Sequence, residues 1–269
     1  MTLSVGTTLP QFRADAEAAI SAATSAEALG LDGVFVFDHL WPIGNPEGEV
    51  FHSHELLGAL AAETGRVRLG SLVARVGLLP DAVLVNTLLS VDAVSGGRLI
   101  AGIGSGDALS KAENEAFGVA YDSVTERLAA VERCCRQLGE QGVTTWAGGR
   151  SPALRSAAAR SAAALNVWGA SPEAVADEGA DVRAKAGRRP VEVTWGGQVL
   201  IGRDARDLAE KQRRHGRRPG LVQGTVDDVV AHLTKLAAAG ATWAVCAPID
   251  IHDDPAALET LAEVRKALA

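Results

Sequence analysis

Eight times along the 269 residues, a short apolar, β-branched run gives way to a segment whose apolar residues recur at helical spacing. The strand-like runs fall at 3–10, 33–40, 67–75, 98–106, 143–149, 165–170, 191–202 and 242–249. The helix-like segments fall at 14–30, 54–65, 81–97, 123–142, 151–163, 171–187, 225–240 and 254–269. Local signals support several helix starts: Ser123 with Glu126 spells a capping box, Ser171 precedes a Pro172 suited to a first turn, and Thr225 is a cap. Such a unit repeated eight times over about 250 residues predicts an α/β fold of the (β/α)8 TIM-barrel kind. The strands are continuously apolar rather than alternating, as expected of a parallel sheet covered on both faces. A doubly wound sheet is the competing fold, but TTLPQF after the first strand lacks its glycine fingerprint. No linker or low-complexity tract interrupts the pattern, so one domain over 1–269 is expected.

Composition narrows the function classes. The chain is 47% hydrophobic and carries a net charge of −7, which argues against a general nucleic-acid or anionic-membrane partner. There is no apolar run long enough for a membrane span, and MTLSVGTTLP lacks the basic and apolar regions of a secretory signal. Cys134, Cys135 and Cys246 form no C-x-x-C pair, and two are adjacent, so reduced thiols and a cytoplasmic location are expected.

In a barrel of this kind, ligands bind where strands end, which turns the strand list into a site list. Strand ends carry Thr7 and Thr8; Asp38, His39 and Trp41; Val73 to Arg75; Gly104 to Asp107; Gly148 to Ser151; Asn166 and Trp168; Arg203; and Asp250 with His252. In VFVFDHLW (34–41) an apolar strand runs into an ionisable pair, which is either ordinary solvent contact or chemistry. On the second reading His39 is a general acid or base and Asp38 orients a ligand or tunes the imidazole. GIGSGD (102–107) is either a tight turn or an anion nest, and WAGGRSP (146–152) either a capped turn or a phosphate cradle. HSHE (52–55) suggests a metal, but spacing supplies no third ligand, so no metal is expected. The basic run EKQRRHGRRPG (210–220) reads first as a solvated helix end and second as a contact for an anionic ligand tail. Of the five tryptophans, Trp41 and Trp168 are the candidates for walling a flat ring.

Taken together, these segments resemble the bacterial luciferase-like superfamily of barrel flavoenzymes, and most of all its branch that uses the deazaflavin coenzyme F420. The likeness is carried by GLDGVFVFDHLW (30–41), RVRLGSLVARVGLLPDAVLVNTLLSVDAVSGGRLIAGIGSGD (66–107) and FGVAYDSVTERL (117–128). It implies a luciferase-like barrel that transfers a hydride between F420 and a small organic substrate, with His39 as acid or base. The same scaffold also holds FMN, so an oxygen-using FMN monooxygenase is the alternative. From other classes come a metal-dependent hydrolase using His52, His54 and perhaps His252, and a non-catalytic coenzyme-binding protein.

The resemblance also implies roles at matching positions. Asp38 and His39 would face the ring, and Leu72–Val73 falls where the family often has a cis peptide behind it. Gly106, Asp107 and Ser110 match coenzyme contacts, and Gly148, Gly149 and Arg150 match the segment that holds its phosphate. Arg75, Gly104, Asn166 and Trp168 complete the expected coenzyme-binding set. A homodimer is implied as well. The chain departs from its relatives at Ala163-Ala164-Leu165-Asn166, where they commonly have Asp-Gly and an aromatic, and in its short stretch before the fifth strand.

Overall fold

The computed structural model describes residues 3–12, 15–254 and 256–269. The predicted helix start at residue 14, Pro255 in the last predicted helix, and the first two residues of the N-terminal segment lie outside the described residues. Among the described residues the strands are β1 (Ser4–Thr8), β2 (Gly33–Val36), β3 (Arg68–Ser71), β4 (Ala74–Arg75), β5 (Leu99–Gly104), β6 (Thr144–Gly148), β7 (Ala164–Trp168), β8 (Glu192–Gly202), β9 (Val222–Thr225) and β10 (Ala241–Pro248). The helices are α1 (Glu17–Ala28), α2 (Ser53–Glu63), α3 (Asp81–Val94), α4 (Ala108–Ala116), α5 (Val124–Glu140), α6 (Pro152–Ser161), α7 (Pro172–Ala186), α8 (Ala205–His215), α9 (Val226–Ala238) and α10 (Ala256–Ala267). The hydrogen-bonded order β10-β1-β2-β3-β5-β6-β7-β8 closes through a β8–β10 pairing, and every pairing is parallel. This is the closed eight-stranded barrel expected from the repeat, with β4 added beside β5 and β9 beside β8.

The barrel separates two cores by strand alternation. Val34 and Val36 of β2 pack outward in the layer shared with the helices, whereas Phe35 points into the barrel with Leu72, Ile100, Trp146 and Val245. Phe35 stacks on Trp146 at 5.3 Å and meets Trp243 edge-on at 6.0 Å, so aromatic rings fill the interior. Small neighbours make room for them. A Cβ on Gly70 would overlap the Phe35 ring, and one on Gly6 would lie 2.8 Å from it. Gly70→Ala is therefore expected to cost about 1–3 kcal/mol by overpacking, measurable as a lower urea midpoint with unchanged slope.

Three local differences from the sequence reading matter for the site. β2 ends at Val36, not near residue 40, because the buried Gln11 amide replaces the ladder at Phe37: Gln11 Nε2 donates to Phe37 O at 2.7 Å and Phe37 N donates to Gln11 Oε1 at 2.6 Å. That releases residues 38–41 from the sheet. The predicted 67–75 strand is two strands, β3 and β4, separated by a cis peptide at Leu72–Val73. Finally, α4 and α8 are helices additional to the eight-unit repeat, in the polar stretches after β5 and β8.

In α8 the basic run is only partly a solvated helix end. Arg213, Arg214 and His215 form its last turn, but Lys211 is buried, donating to Asp250 Oδ2 at 2.6 Å and Ile201 O at 3.0 Å. This ties α8 to the ends of β8 and β10. The three cysteines are buried and unbridged, and burial pushes each thiol up to about 12, which keeps them protonated and unreactive. Among the described residues, no helix is long and apolar enough to cross a membrane.

Candidate active site

Two adjoining recesses open at the C-terminal ends of the strands. The larger, of about 530 Å³, is walled by Phe12, Phe37, Ile43 and Trp168 and reaches Asn166, Arg218 and His252. The smaller, of about 350 Å³, is lined by Asp38, Arg75, Gly104, Gly106, Ser110 and Arg150 among others. His39, Leu72, Val73, Asp107, Gly148 and Gly149 border both, so they form the shared rim between the two. The fold thus gathers at one mouth all the coenzyme-binding and catalytic positions expected from sequence.

Val73 is the partition. With its peptide cis to Leu72, its side chain lies over β5 and β6, where a Cβ on Gly104 or Gly148 would overlap it. These two glycines therefore make room for a neighbouring side chain, a role outside the turn, nest and cradle readings of their segments. Asp107 caps α4: its Oδ1 accepts from Leu109 N and Ser110 N, each at 3.0 Å, and Ser110 Oγ accepts from Asp107 N at 3.0 Å. At the 148–150 segment, Gly149 N donates to Asn166 O at 3.1 Å, and Arg150 pairs with Glu178 at 2.9 Å. Asn166 Nδ2 in turn donates to Thr194 Oγ1 at 2.9 Å. Trp168 meets Phe37 edge-on at 5.8 Å as a wall of the larger recess. Trp41 instead packs on Phe117 at 5.9 Å and lines neither recess. Arg203 pairs with Asp207, away from both.

The released segment 38–41 is held by Arg75 and by two residues that the sequence reading missed, Ser53 and Glu113. Asp38 is buried; its Oδ1 accepts from Ser53 Oγ at 2.7 Å and its Oδ2 from Arg75 N at 2.7 Å. Glu113, on α4 and 1% exposed at its side chain, accepts from Leu40 N at 2.6 Å and Trp41 N at 3.2 Å. Its Oε2 also lies 3.4 Å from His39 Nδ1 and pairs with Arg75 Nη1. Burial opposes ionisation of Glu113, but the neighbouring His39 imidazole, the Arg75 charge and the Leu40 N–H outweigh it and hold its carboxyl down at about 2. Glu113 is thus a carboxylate at neutral pH. It fixes His39 through Nδ1 and leaves Nε2 as the nitrogen available to a ligand. A signal for it existed: Asp107-x-x-Ser110 marks a helix start, and Glu113 follows Ser110 by one further helical step of three on the same face.

Arg75 supplies the other unusual feature. It is 4% exposed, and its Nε and Nη2 are buried with no hydrogen-bond partner among the described residues. Buried guanidinium donors are costly to leave unmet, and Arg75 also lines the smaller recess, so a buried positive charge with unmet donors stands in its wall.

A model of luciferase-like monooxygenases matches residues 2–268. An F420-dependent glucose-6-phosphate dehydrogenase of Kineococcus radiotolerans is 33% identical over 117 residues, which are 43% of this chain and 34% of that protein. The match thus spans about a third of that relative's length. An F420-dependent secondary alcohol dehydrogenase, solved with an F420-acetone adduct, superposes with a TM-score of 0.82 over the whole of both chains at 14% identity. The EDTA monooxygenase of Chelativorans sp. BNC1 superposes at 0.80, covering all of this chain and 93% of that one, at 15% identity. At such identities the superpositions speak to the fold, while the match across residues 2–268 speaks to descent. This chain belongs to the luciferase-like monooxygenase family.

Proposed function

We propose that the protein is an F420-dependent oxidoreductase, with the coenzyme's ring in the smaller recess and an organic substrate in the larger. The observation that carries this reading is the position of His39 on the rim common to both recesses, with its Nδ1 held by Glu113. The fit to a deazaflavin rests on Arg75, whose unpartnered buried donors suit the carbonyl-bearing edge of such a ring. Leu72 and Val73 would back the ring, and Gly106, Ser110 and the Gly148–Arg150 segment would hold the rest of the coenzyme. When bound, F420 supplies the hydride chemistry. The chain's own residues bind, orient and handle the proton: His39 Nε2 gives or takes it at the substrate's oxygen or nitrogen. Phe12, Phe37 and Trp168 exclude water from the larger recess.

The same barrel also superposes on a monooxygenase, so FMN is the alternative ligand to test. Fluorescence titrations with F420 and, separately, FMN decide between them. F420 is expected to bind at micromolar concentrations, equivalent to about 8 kcal/mol, and FMN far more weakly. Saturable FMN binding without F420 binding would overturn the reading. Reduction of F420 by secondary alcohols and sugar phosphates, the donor classes named for the related dehydrogenases, then identifies the substrate class.

A further inference from the structure

Beside the smaller recess, at the start of α2, lies a histidine pair that the coenzyme reading does not use, together with Asp38 of the recess lining. Asp38, His52 and His54 each place one potential ligand atom within 4.8 Å of the other two. In a regular helix, residues two apart point to different sides, so an H-x-H pair would diverge. Here His52 is the N-cap of α2, with an extended backbone (φ −60°, ψ 135°), while His54 lies inside the first turn. The change of conformation between them brings the two imidazoles together, 5.0 Å between ring centroids.

The chemistry of each member suits coordination. His54 is 5% exposed, and both of its ring nitrogens are buried without a hydrogen-bond partner among the described residues. A neutral imidazole always carries one N–H and one lone pair, so such burial leaves a strong lone pair unused. His52 Nδ1 lies 2.5 Å from Glu55 Oε2, which leaves Nε2 for a cation. A carboxylate on the far nitrogen is the usual outer support of a metal-bound histidine. Asp38 is oriented by Ser53 Oγ and Arg75 N, and each of its oxygens keeps a further lone pair. Asp38 and Glu55 also offset the positive N-terminal end of α2, which by itself would repel a cation.

The geometry points to a binding site for a divalent transition-metal cation, of the zinc type, formed by Asp38, His52 and His54. Two imidazoles and one carboxylate are the ligands of many three-residue zinc sites, with a fourth position left to water. Bonds of about 2.0–2.2 Å require the three atoms to draw closer than they stand here. The His52 side chain, 34% exposed, has the freedom to close that gap. A bound cation would clip the end of β2 to the start of α2 and immobilise Asp38 beside the smaller recess. This site stands independently of which coenzyme the mouth accepts.

The test is titration of EDTA-stripped protein with Zn²⁺ alone by calorimetry, with Co²⁺ as a coloured substitute. One equivalent of Zn²⁺ is expected to bind, and Co²⁺ to give the visible absorption of a low-coordinate site. His54→Ala and His52→Ala should each weaken Zn²⁺ binding by at least ~100-fold, and Glu55→Gln by about 10- to 100-fold through loss of the outer carboxylate. His52 and Glu55 are accessible, so those variants keep the test decisive if His54→Ala fails to fold. No saturable Zn²⁺ binding by the unaltered protein, or equal binding by the His52→Ala variant, overturns the site.

Discussion

His39→Ala is expected to lower turnover by about 100- to 10,000-fold, the range for removing a positioned acid or base, while coenzyme affinity changes by no more than a few-fold. The split follows from where His39 sits. It borders both recesses, and its engaged nitrogen faces Glu113, so truncation removes a proton carrier and leaves Arg75, Val73 and the glycine segments in place. Steady-state rates with the donor that turns over, set beside the fluorescence titration, check it. Equal loss of binding and turnover would mark His39 as a structural residue and sink the proton-transfer role. A rate that recovers when the substrate carries a better leaving proton would strengthen it.

Glu113→Ala is expected to destabilise the protein by about 3–5 kcal/mol, because it strands the buried Arg75 guanidinium without its counter-charge. It also takes away the acceptor for the Leu40 and Trp41 N–H groups, so the 38–41 segment loosens and His39 loses its support. Urea denaturation of the wild type and the variant gives the first effect. Glu113→Gln retains an acceptor and separates charge from hydrogen bonding. The carboxyl's value falls from 4.5 in a free chain to about 2 in the fold, so its ionised form stabilises the native state. That stability is fully present above about pH 4.5 and lost as the pH falls through about 2, a shift equivalent to about 3 kcal/mol. In Glu113→Gln this acid-dependent component should vanish. If both proteins lose stability in parallel between those pH values, the charge network around Arg75 has been misassigned.

Much of the barrel could be read directly from the chain. The alternation of β-branched runs and alanine-rich helical segments is a local property, and it sufficed for eight barrel strands in the observed order. The strand-end rule, joined to the family resemblance, likewise pointed to residues that line the two recesses at the mouth. Less legible were the polar elements. The role of the polar helix α4 rests on Glu113 reaching Leu40, 73 residues back. β2's early end depends on a glutamine 26 residues upstream imitating a strand. The glycines of β5 and β6 looked like ligand-facing turns, yet they admit Val73 across the barrel wall.

VFVFDHLW shows where the division falls. Alternation alone determines that Val34 and Val36 share one face and Phe35 the other, because side-chain direction along a strand is set by the backbone within two residues. That Asp38 is buried against Ser53 and Arg75, and His39 held by Glu113 on a shared rim, was decided only by the tertiary structure. The partners of these two ionisable groups come from α2, β4 and α4, 15 to 74 residues away, and no local propensity encodes a contact at that separation.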